Sequence, residues 1–230
     1  TGFTRSKNTV NILMKNILTV SLGSILYFIV GFAIMFGPSA FGIIGTEGFA
    51  LLGREDIGFF VFQAVFAATC ATIISGAVAE RMKLSSYLLL TVAMTGVIYP
   101  VVGHWVWGGG WLSELGFIDF AGSSVVHITG AVGALVAAWF IGPRIGKYSG
   151  KIVNVIPGHS IPLGALGVFI LWLGWFGFNG GSALAANGVA GNALLTSQIG
   201  ASTCTLVWLF LSWKRSGKPS VAAVINGAIS

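Results

Sequence analysis

The sequence of 230 residues carries little charge. Charged residues make up 8% of it and hydrophobic residues 55%, whereas about 25% of an ordinary globular chain is charged. A water-soluble domain of this composition would expose large apolar patches. Together with a mean hydropathy of +0.91, the shortage of charge excludes most cytosolic enzymes and predicts an integral membrane protein.

The sequence also lacks the patterns on which enzymes and metalloproteins depend. Its two cysteines, Cys70 and Cys204, both lie in apolar runs, so no disulfide framework is expected. It has no metal-ligand cluster, no GxSxG nucleophile elbow and no carboxylate pair at a useful spacing. The glycine run 108–110 lacks the Lys and Ser/Thr of a phosphate-binding loop. We therefore expect neither an enzyme nor a bound metal or cofactor.

Long uncharged runs, by contrast, are frequent. A membrane-spanning helix needs about 20 mainly apolar residues, and the uncharged runs divide into six segments of about that length. These segments are residues 17–36, 57–79, 84–103, 120–142, 161–178 and 193–213. Residues 220–230 read as the start of a further helix that is too short to cross. The sequence thus predicts an all-α polytopic membrane protein, built as a bundle of about six complete transmembrane helices.

The basic residues lie on one side of this predicted topology. The net charge of +6 could suggest a nucleic-acid partner, but the Lys and Arg residues occur in short clusters between apolar runs. With six crossings, every basic residue except Arg54 falls in connections on the same side, with Lys15 assigned to the N-terminal connection. Because basic loops stay in the cytoplasm, both ends of the sequence are predicted to be cytoplasmic, and no nucleic-acid partner is expected.

Small residues recur at helical spacing in two of the predicted spans, which favours close helix packing. The fourth span has Gly130, Ala134, Ala138 and Gly142, and the fifth has Gly164, Gly167, Gly174 and Gly177. His127 precedes the first of these ridges by three residues. This spacing places His127 on or beside the packed face of the fourth span.

Few polar side chains lie in or near the spans, so each is a candidate functional residue. His127 lies within a span, and Asp119 and His104 lie near the outer mouth. From the residues alone, His127 is equally well a packing histidine that bonds a neighbouring helix, and Asp119 more readily caps the following helix than contacts a ligand. Trp107 lies in an aromatic cluster that is either an interfacial belt or a cup for a small cation.

Four segments, taken together, resemble a known family. They are AER at 79–81, WGGG at 107–110, DFAGSSVVHI at 119–128 and GWFGFNGGS at 174–182. In order and spacing they resemble the ammonium transporter (Amt) branch of the Amt/Rh family, over nearly the whole chain. The family often has two glycines where this sequence has Gly122 and Ser123.

The resemblance implies roles for particular residues. Trp107 and Ser182 correspond to an outer recruitment site, where an aromatic face and a hydroxyl receive ammonium. Phe66 and Phe178 correspond to two stacked rings that close the pore below that site. Asp119 corresponds to the acidic residue that braces the site and contributes negative potential.

His127 corresponds to the first of two pore histidines, the second of which belongs to a later helix of the family. The resemblance implies an Amt/Rh-like helical bundle of eleven spans in two inverted repeats. Residues 1–230 would then be a partial ammonium transporter domain, an internal fragment that lacks the first helix and the C-terminal part of the second repeat. The initial Thr1 in place of Met agrees with that expectation.

The implied function is transmembrane ammonium transport, in which ammonia crosses a hydrophobic pore and its proton is relayed separately. The implied setting is the plasma (inner) membrane, with a homotrimer in the lipid bilayer and a PII-type cytoplasmic regulator as partners. An alternative is an ammonium sensor, in which an Amt-like domain is fused to a signalling domain. A gas channel of the Rh type is disfavoured, because Trp107 and Ser182 match a site that Rh proteins generally lack.

Overall fold

The computed structural model describes residues 1–229. Within that range, six helical segments are long and apolar enough to cross a membrane, which confirms the predicted number. They are Ser6–Phe36, Ile57–Ala77, Leu84–Glu114, Ser123–Ile141, Ile161–Ala183 and Gly188–Ser216. We number them as the first to sixth spans. The outer end of a span is the end next to the connections that have few basic residues.

Several spans are built from α-helices joined by π-helical turns. The α-helices are α1 (Thr9–Leu26), α2 (Phe32–Phe36), α3 (Ile57–Ala77), α4 (Leu84–Ala93), α5 (Tyr99–Val106), α6 (Trp111–Glu114), α7 (Thr129–Ile141), α8 (Ile161–Trp175), α9 (Gly188–Ser216) and α10 (Val221–Ala228). The π turns that the structure describes are Tyr27–Gly31, Met94–Ile98, Ser123–Ile128 and Phe176–Gly180. π turns are rare in proteins overall, but those that do occur are frequently found at functional sites.

Short 3₁₀ turns and hairpins complete the secondary structure. The 3₁₀ turns are Ser6–Asn8, Phe49–Leu51 and Gly181–Ala183. Strand β1 (Ser39–Ala40) pairs antiparallel with β2 (Ile44–Gly45), and β3 (Tyr148–Ser149) pairs antiparallel with β4 (Ile152–Val153). Both hairpins have strands of only two residues and lie in connections between spans.

The chain divides into two compact units. The larger unit, Lys7–Ile156, contains α1 to α7. In it α3 packs against α1 and α7, α1 also packs against α4, and α2 packs against α5. The smaller unit consists of Thr1–Ser6 and the residues from Pro157 onwards. In it α10 packs against α8 and α9.

The first span begins earlier than the uncharged run predicted. Lys15, assigned from the sequence to a connection, is a buried residue of α1. Its Nζ atom lies 5.1 Å from the centroid of the Tyr87 ring, and the Tyr87 hydroxyl is 2.6 Å from the Thr19 hydroxyl. An aromatic face accommodates a cation inside a helix bundle. The charged side chain of Lys15 therefore fits within α1, and the first span begins before it.

The sixth span also begins earlier than expected, at Gly188 and not near residue 193. The side-chain oxygen of Asn187 accepts hydrogen bonds from the N–H groups of Val189 (3.0 Å) and Ala190 (3.2 Å). Asparagine is a strong N-cap because it satisfies N–H groups that have no partner in the first turn. The sequence pattern had instead placed this asparagine in a longer loop. The expected helix after residue 220 is present as α10, although Ser230 lies outside the described residues.

The small-residue ridges are only partly used for packing. A Cβ atom on Gly130 would lie 2.8 Å from the Cys70 carbonyl oxygen, so the fourth span does press its small residues against α3. Gly142, however, has a φ of +76° and ends α7, so its role is conformational. Of the four glycines predicted to form the ridge of the fifth span, Gly164 contacts the Phe3 ring, whereas Cβ atoms on Gly167, Gly174 and Gly177 would lie in open space.

At the inner end of the larger unit, the buried carboxylate of Glu80 joins its own connection to that of Arg144 and to the start of the first span. The side chain of Glu80 is 0% exposed, and its Oε2 atom is 3.0 Å from the Arg144 guanidinium. Its Oε1 atom accepts a hydrogen bond of 2.8 Å from Asn8. At the outer end, Arg54 and Asp56 form a more exposed pair, and the hydrogen bond from Arg54 holds the pKa of Asp56 below its usual range.

We expect Glu80→Gln to lower the thermal unfolding temperature of the detergent-solubilised protein clearly. The variant removes the charge that pairs with Arg144, and because the Glu80 side chain is fully buried, the free energy of unfolding should fall by about 2 to 3 kcal/mol. The control is Asp56→Asn in the exposed pair, for which we expect less than about 1 kcal/mol. Equal shifts for the two variants would contradict a structural role for the buried pair.

Candidate functional site

Trp107 occupies the tight turn that ends α5. Its backbone N–H donates to the Gly103 carbonyl (2.7 Å), and the carbonyl of His104 accepts from the N–H groups of Gly108 (3.1 Å) and Gly110 (2.9 Å). The intervening Gly109 has a φ of +79°, a conformation that glycine adopts readily. The glycine run therefore folds the chain back on itself directly after Trp107.

Asp119 caps the start of the fourth span, as the sequence predicts. Its Oδ1 atom accepts from the N–H groups of Gly122 (2.7 Å) and Ser123 (3.0 Å). Its Oδ2 atom accepts from those of Ser124 (2.8 Å) and Val125 (2.9 Å). Four donors that would otherwise lack an intrahelical partner are thereby satisfied, and the carboxylate lies at the positive end of the helix dipole.

The indole of Trp107 is held against this cap. Its Nε1–H donates to the backbone carbonyl of Asp119 at 2.7 Å. Gly122, with a φ of +98°, lies so close that a Cβ atom there would be 3.3 Å from the edge of the indole at Cη2. A larger residue at 122 would therefore meet both backbone strain and the ring. The conformation of the loop and the position of the indole depend on each other.

Phe66 contacts the same indole from α3. The ring is almost completely buried, and it meets Trp107 edge to face, with centroids 6.0 Å apart and an interplanar angle of 85°. Phe62 also packs against the Phe66 ring, with the two centroids 4.7 Å apart. The larger unit thus brings together three residues singled out by the sequence: Phe66, Trp107 and Asp119.

His127 lies in the π turn Ser123–Ile128. Its Nδ1 atom is 3.0 Å from the Gly122 carbonyl oxygen, which can only accept, so Nδ1 carries the proton and Nε2 is the acceptor of the neutral ring. The sequence predicts that His127 lies on or beside the packed face that contains Gly130 and Ala134. Those two residues are buried, but the His127 residue is exposed, so this part of the prediction is wrong. The wider π turn separates His127 from the regular spacing of the α-helix that follows.

Phe178 and Ser182 lie in the smaller unit. Phe178 belongs to the π turn Phe176–Gly180, and the Ser182 hydroxyl donates to the Phe178 carbonyl at 2.7 Å. The neighbouring Asn179 amide donates to the Ser197 hydroxyl of α9 at 2.6 Å. These two bonds fix the turn that carries the Phe178 ring.

Several features of the site were not predicted from the sequence. The sequence pattern points neither to Asn179 nor to Ser39, which bonds His104 across 65 residues of the chain. The π turns were also not predicted, because they have no sequence motif. Among the described residues, no group of three or more His, Cys, Asp or Glu side chains could hold a metal ion.

The fold and the site define an α-helical, multi-pass integral membrane protein with a fixed aromatic and acidic cluster at one end of its spans. A sequence model of the family described as the Ammonium Transporter Family matches residues 1–230. The chain therefore belongs to the ammonium transporter family, a family of transporters and not of enzymes, and the resemblance drawn from its motifs is confirmed.

Two relatives come from Archaeoglobus fulgidus. The chain is 45% identical to its ammonium transporter Amt2 over 249 residues, which cover 100% of this chain and 52% of the relative. It is 42% identical to the ammonium transporter Amt1, covering 100% of this chain and 58% of that protein. The chain thus spans about half the length of the curated relatives it matches.

Two solved structures are similar to the chain over 99% of its length. One is described as a Sensor Amt Protein, with a TM-score of 0.95, 39% sequence identity and 60% of that chain covered. The other is Mep2 from Saccharomyces cerevisiae, with a TM-score of 0.89, 30% identity and 53% covered. The predicted Amt-like helical fold is confirmed by both.

We expect Asp119→Ala to loosen the start of the fourth span. The variant removes the acceptor for four backbone N–H groups, and loss of an N-cap costs about 0.5 to 2 kcal/mol. Hydrogen–deuterium exchange should accelerate at the amides of residues 122–125, and Asp119→Asn, which keeps one acceptor oxygen, should give an intermediate rate. Unchanged protection in Asp119→Ala would contradict the capping role.

Proposed function

We propose that this chain is part of a transmembrane ammonium transporter that recruits ammonium at an outer aromatic site and conducts ammonia through a hydrophobic pore. The observation that carries the proposal is the fixed indole of Trp107, bound at Nε1 to the Asp119 carbonyl and packed against Phe66. The family membership and the names of the relatives, which are ammonium transporters, support the substrate.

Recruitment rests on the ring face of Trp107. The face of an indole attracts a small cation by about 0.5 to 2 kcal/mol, more when water is displaced. The nearby carboxylate of Asp119 braces the site and adds negative potential, which favours a cation over a neutral solute. The hydroxyl of Ser182 completes the site in this proposal by accepting a hydrogen bond from ammonium.

Beyond the recruitment site, the charge has to be removed. A cation in an apolar passage loses its hydration at a cost of many kcal/mol, whereas the cost for neutral ammonia is far smaller. Phe66 and Phe178 act as the two rings that close the passage to hydrated ions. Potassium has no proton to give up, so proton release selects ammonium by its chemistry as well as by its size.

His127 is the pore residue in this proposal. Its tautomer, with Nδ1 donating to the Gly122 carbonyl, makes Nε2 an acceptor for a proton or for an N–H group of ammonia. An imidazole changes its charge near neutral pH and relays protons in many proteins. His127 therefore receives ammonia below the aromatic rings and takes part in the separate proton relay.

Residues 1–230 form part of one ammonium transporter domain in this proposal. The protein sits in the plasma (inner) membrane, assembles as a homotrimer and meets a PII-type regulator on its cytoplasmic side. A second function is favoured by one observation, since the structure described as a Sensor Amt Protein matches with a TM-score of 0.95. In that alternative the same outer site binds ammonium and drives a signalling domain.

We expect Trp107→Leu, in the full-length protein that contains this chain, to raise the ammonium concentration for half-maximal current by about 5- to 30-fold. That range corresponds to a loss of about 1 to 2 kcal/mol of cation–π attraction. Ser182→Ala should raise it less, because one hydrogen bond is lost. Ammonium-evoked current across a voltage-clamped membrane provides the measurement.

The matched control for this series is Trp105→Leu. The Trp105 indole donates to the Ile43 carbonyl and packs against Trp111, and neither of these residues belongs to the proposed site. The ammonium-evoked current of the Trp105→Leu protein should depend on ammonium concentration as it does in the unmodified protein. A Trp107→Leu protein with unchanged half-maximal concentration would remove the recruitment site from the proposal.

We expect His127→Ala to abolish ammonium-selective, proton-coupled transport while the protein still reaches the membrane. The control is His159→Ala, since His159 lies in a connection where its Nδ1 bonds the Thr4 carbonyl. Ammonium-evoked current in the presence of excess potassium gives the measurement. Retained selectivity in His127→Ala would overturn its assignment as a pore residue.

A further inference from the structure

His104 is a buried histidine that the transport scheme above does not use. Its side chain is 0% exposed, and it lies three residues before Trp107 in α5. Nδ1 is 2.9 Å from the Met35 carbonyl oxygen, and Nε2 is 2.8 Å from the Ser39 hydroxyl. Because a carbonyl only accepts, Nδ1 donates, and the neutral ring accepts from Ser39 at Nε2. Both ring nitrogens are therefore occupied.

The ring of His104 also supports the glycine turn. Gly108 lies against it so closely that a Cβ atom there would be 2.6 Å from Nδ1. The backbone carbonyl of the same histidine accepts from Gly108 and Gly110. One residue thus anchors the turn twice, through its carbonyl and through contact with its ring.

The other side of this anchor is the outer end of the first span. Met35 lies in α2 and is completely buried, and its sulfur accepts a hydrogen bond of 3.0 Å from the Tyr27 hydroxyl. Ser39 follows in β1. The imidazole therefore ties the end of α5 to the outer end of the first span and to the strand that follows it.

We propose that His104 is a positioning residue for Trp107. It fixes the turn that carries the indole, while the Asp119 carbonyl fixes the Nε1 end of the same ring. This inference rests on the proposed role of Trp107 in recruiting ammonium. A ring held at two points presents one face to the cation, whereas a ring on a loose turn loses binding free energy because it must first be ordered.

A direct role of His104 in proton transfer does not fit the geometry. The ring has no exposed surface, and each nitrogen is engaged by a protein group. A positioning residue is expected to change the affinity for ammonium and to leave the maximal rate nearly unchanged. A proton-transfer residue would lower the maximal rate instead.

The first test compares two replacements of His104 in the full-length protein. His104→Leu removes both ring hydrogen bonds and should raise the half-maximal ammonium concentration about three- to tenfold, with maximal current per protein in the membrane preserved. His104→Asn retains a donor near the place of Nδ1 and should restore most of the affinity. A fall in maximal current without a change in affinity would overturn the proposal.

The second test combines His104→Leu with Trp107→Leu. If His104 acts through the indole, His104→Leu should add less than about twofold to the half-maximal concentration in the Trp107→Leu background. The same three- to tenfold factor in both backgrounds would overturn the positioning role and leave the recruitment site intact. No effect of Trp107→Leu by itself would instead overturn the proposed recruitment site, and this inference with it.

Ser39→Ala provides a milder variant in case His104→Leu does not reach the membrane. It removes only the partner of Nε2 and leaves the ring in place. We expect a rise of about twofold or more in the half-maximal concentration, which again should disappear in the Trp107→Leu background. An unchanged half-maximal concentration in Ser39→Ala would overturn the proposal.

Discussion

A backbone N–H or C=O group that lies inside a membrane without a hydrogen-bond partner costs free energy, and the rest of this structure depends on avoiding that cost. Water is absent from the hydrocarbon region, so N–H and C=O groups have to be satisfied within the protein. The carboxylate of Asp119 does this for four N–H groups at once, and the hydroxyls of Thr19, Thr91 and Thr95 bond carbonyls one turn earlier in their helices. The candidate site is built on the same groups, because the carbonyl of Asp119 also holds the indole of Trp107.

The number of spans could be predicted from the sequence, whereas two of their starts could not. Uncharged runs determine the number, because a charged side chain at the centre of a span is costly to insert into the bilayer. The predicted starts failed at Lys15, whose ammonium lies over the ring of Tyr87, and at Asn187, whose amide caps a helix. Both cases depend on how a polar side chain is satisfied after folding, which hydropathy does not record.

The site was predictable to a similar degree. Capping by Asp119 follows from its place before an apolar run, a local relation along the chain. The contacts between Phe66 and Trp107, and between Ser39 and His104, join residues that are far apart in sequence. Residue spacing along the chain cannot predict these contacts. The family resemblance assigned roles to Phe66 and Trp107, but the contact between them is seen only in the folded chain.

The π turns have a consequence for how this chain tolerates change in length. Each one holds a residue more than an α-helical turn would need, and the spans beyond it are oriented accordingly. Deleting one residue between Ser123 and Ile128 would convert this wide turn into an ordinary α-helical turn, so Gly130 of α7 would still face α3. The same deletion inside α7 would rotate the residues beyond it by about 100° about the helix axis and shift them by about 1.5 Å. The place of a deletion relative to a π turn thus decides whether the packing of the span on its neighbour is kept.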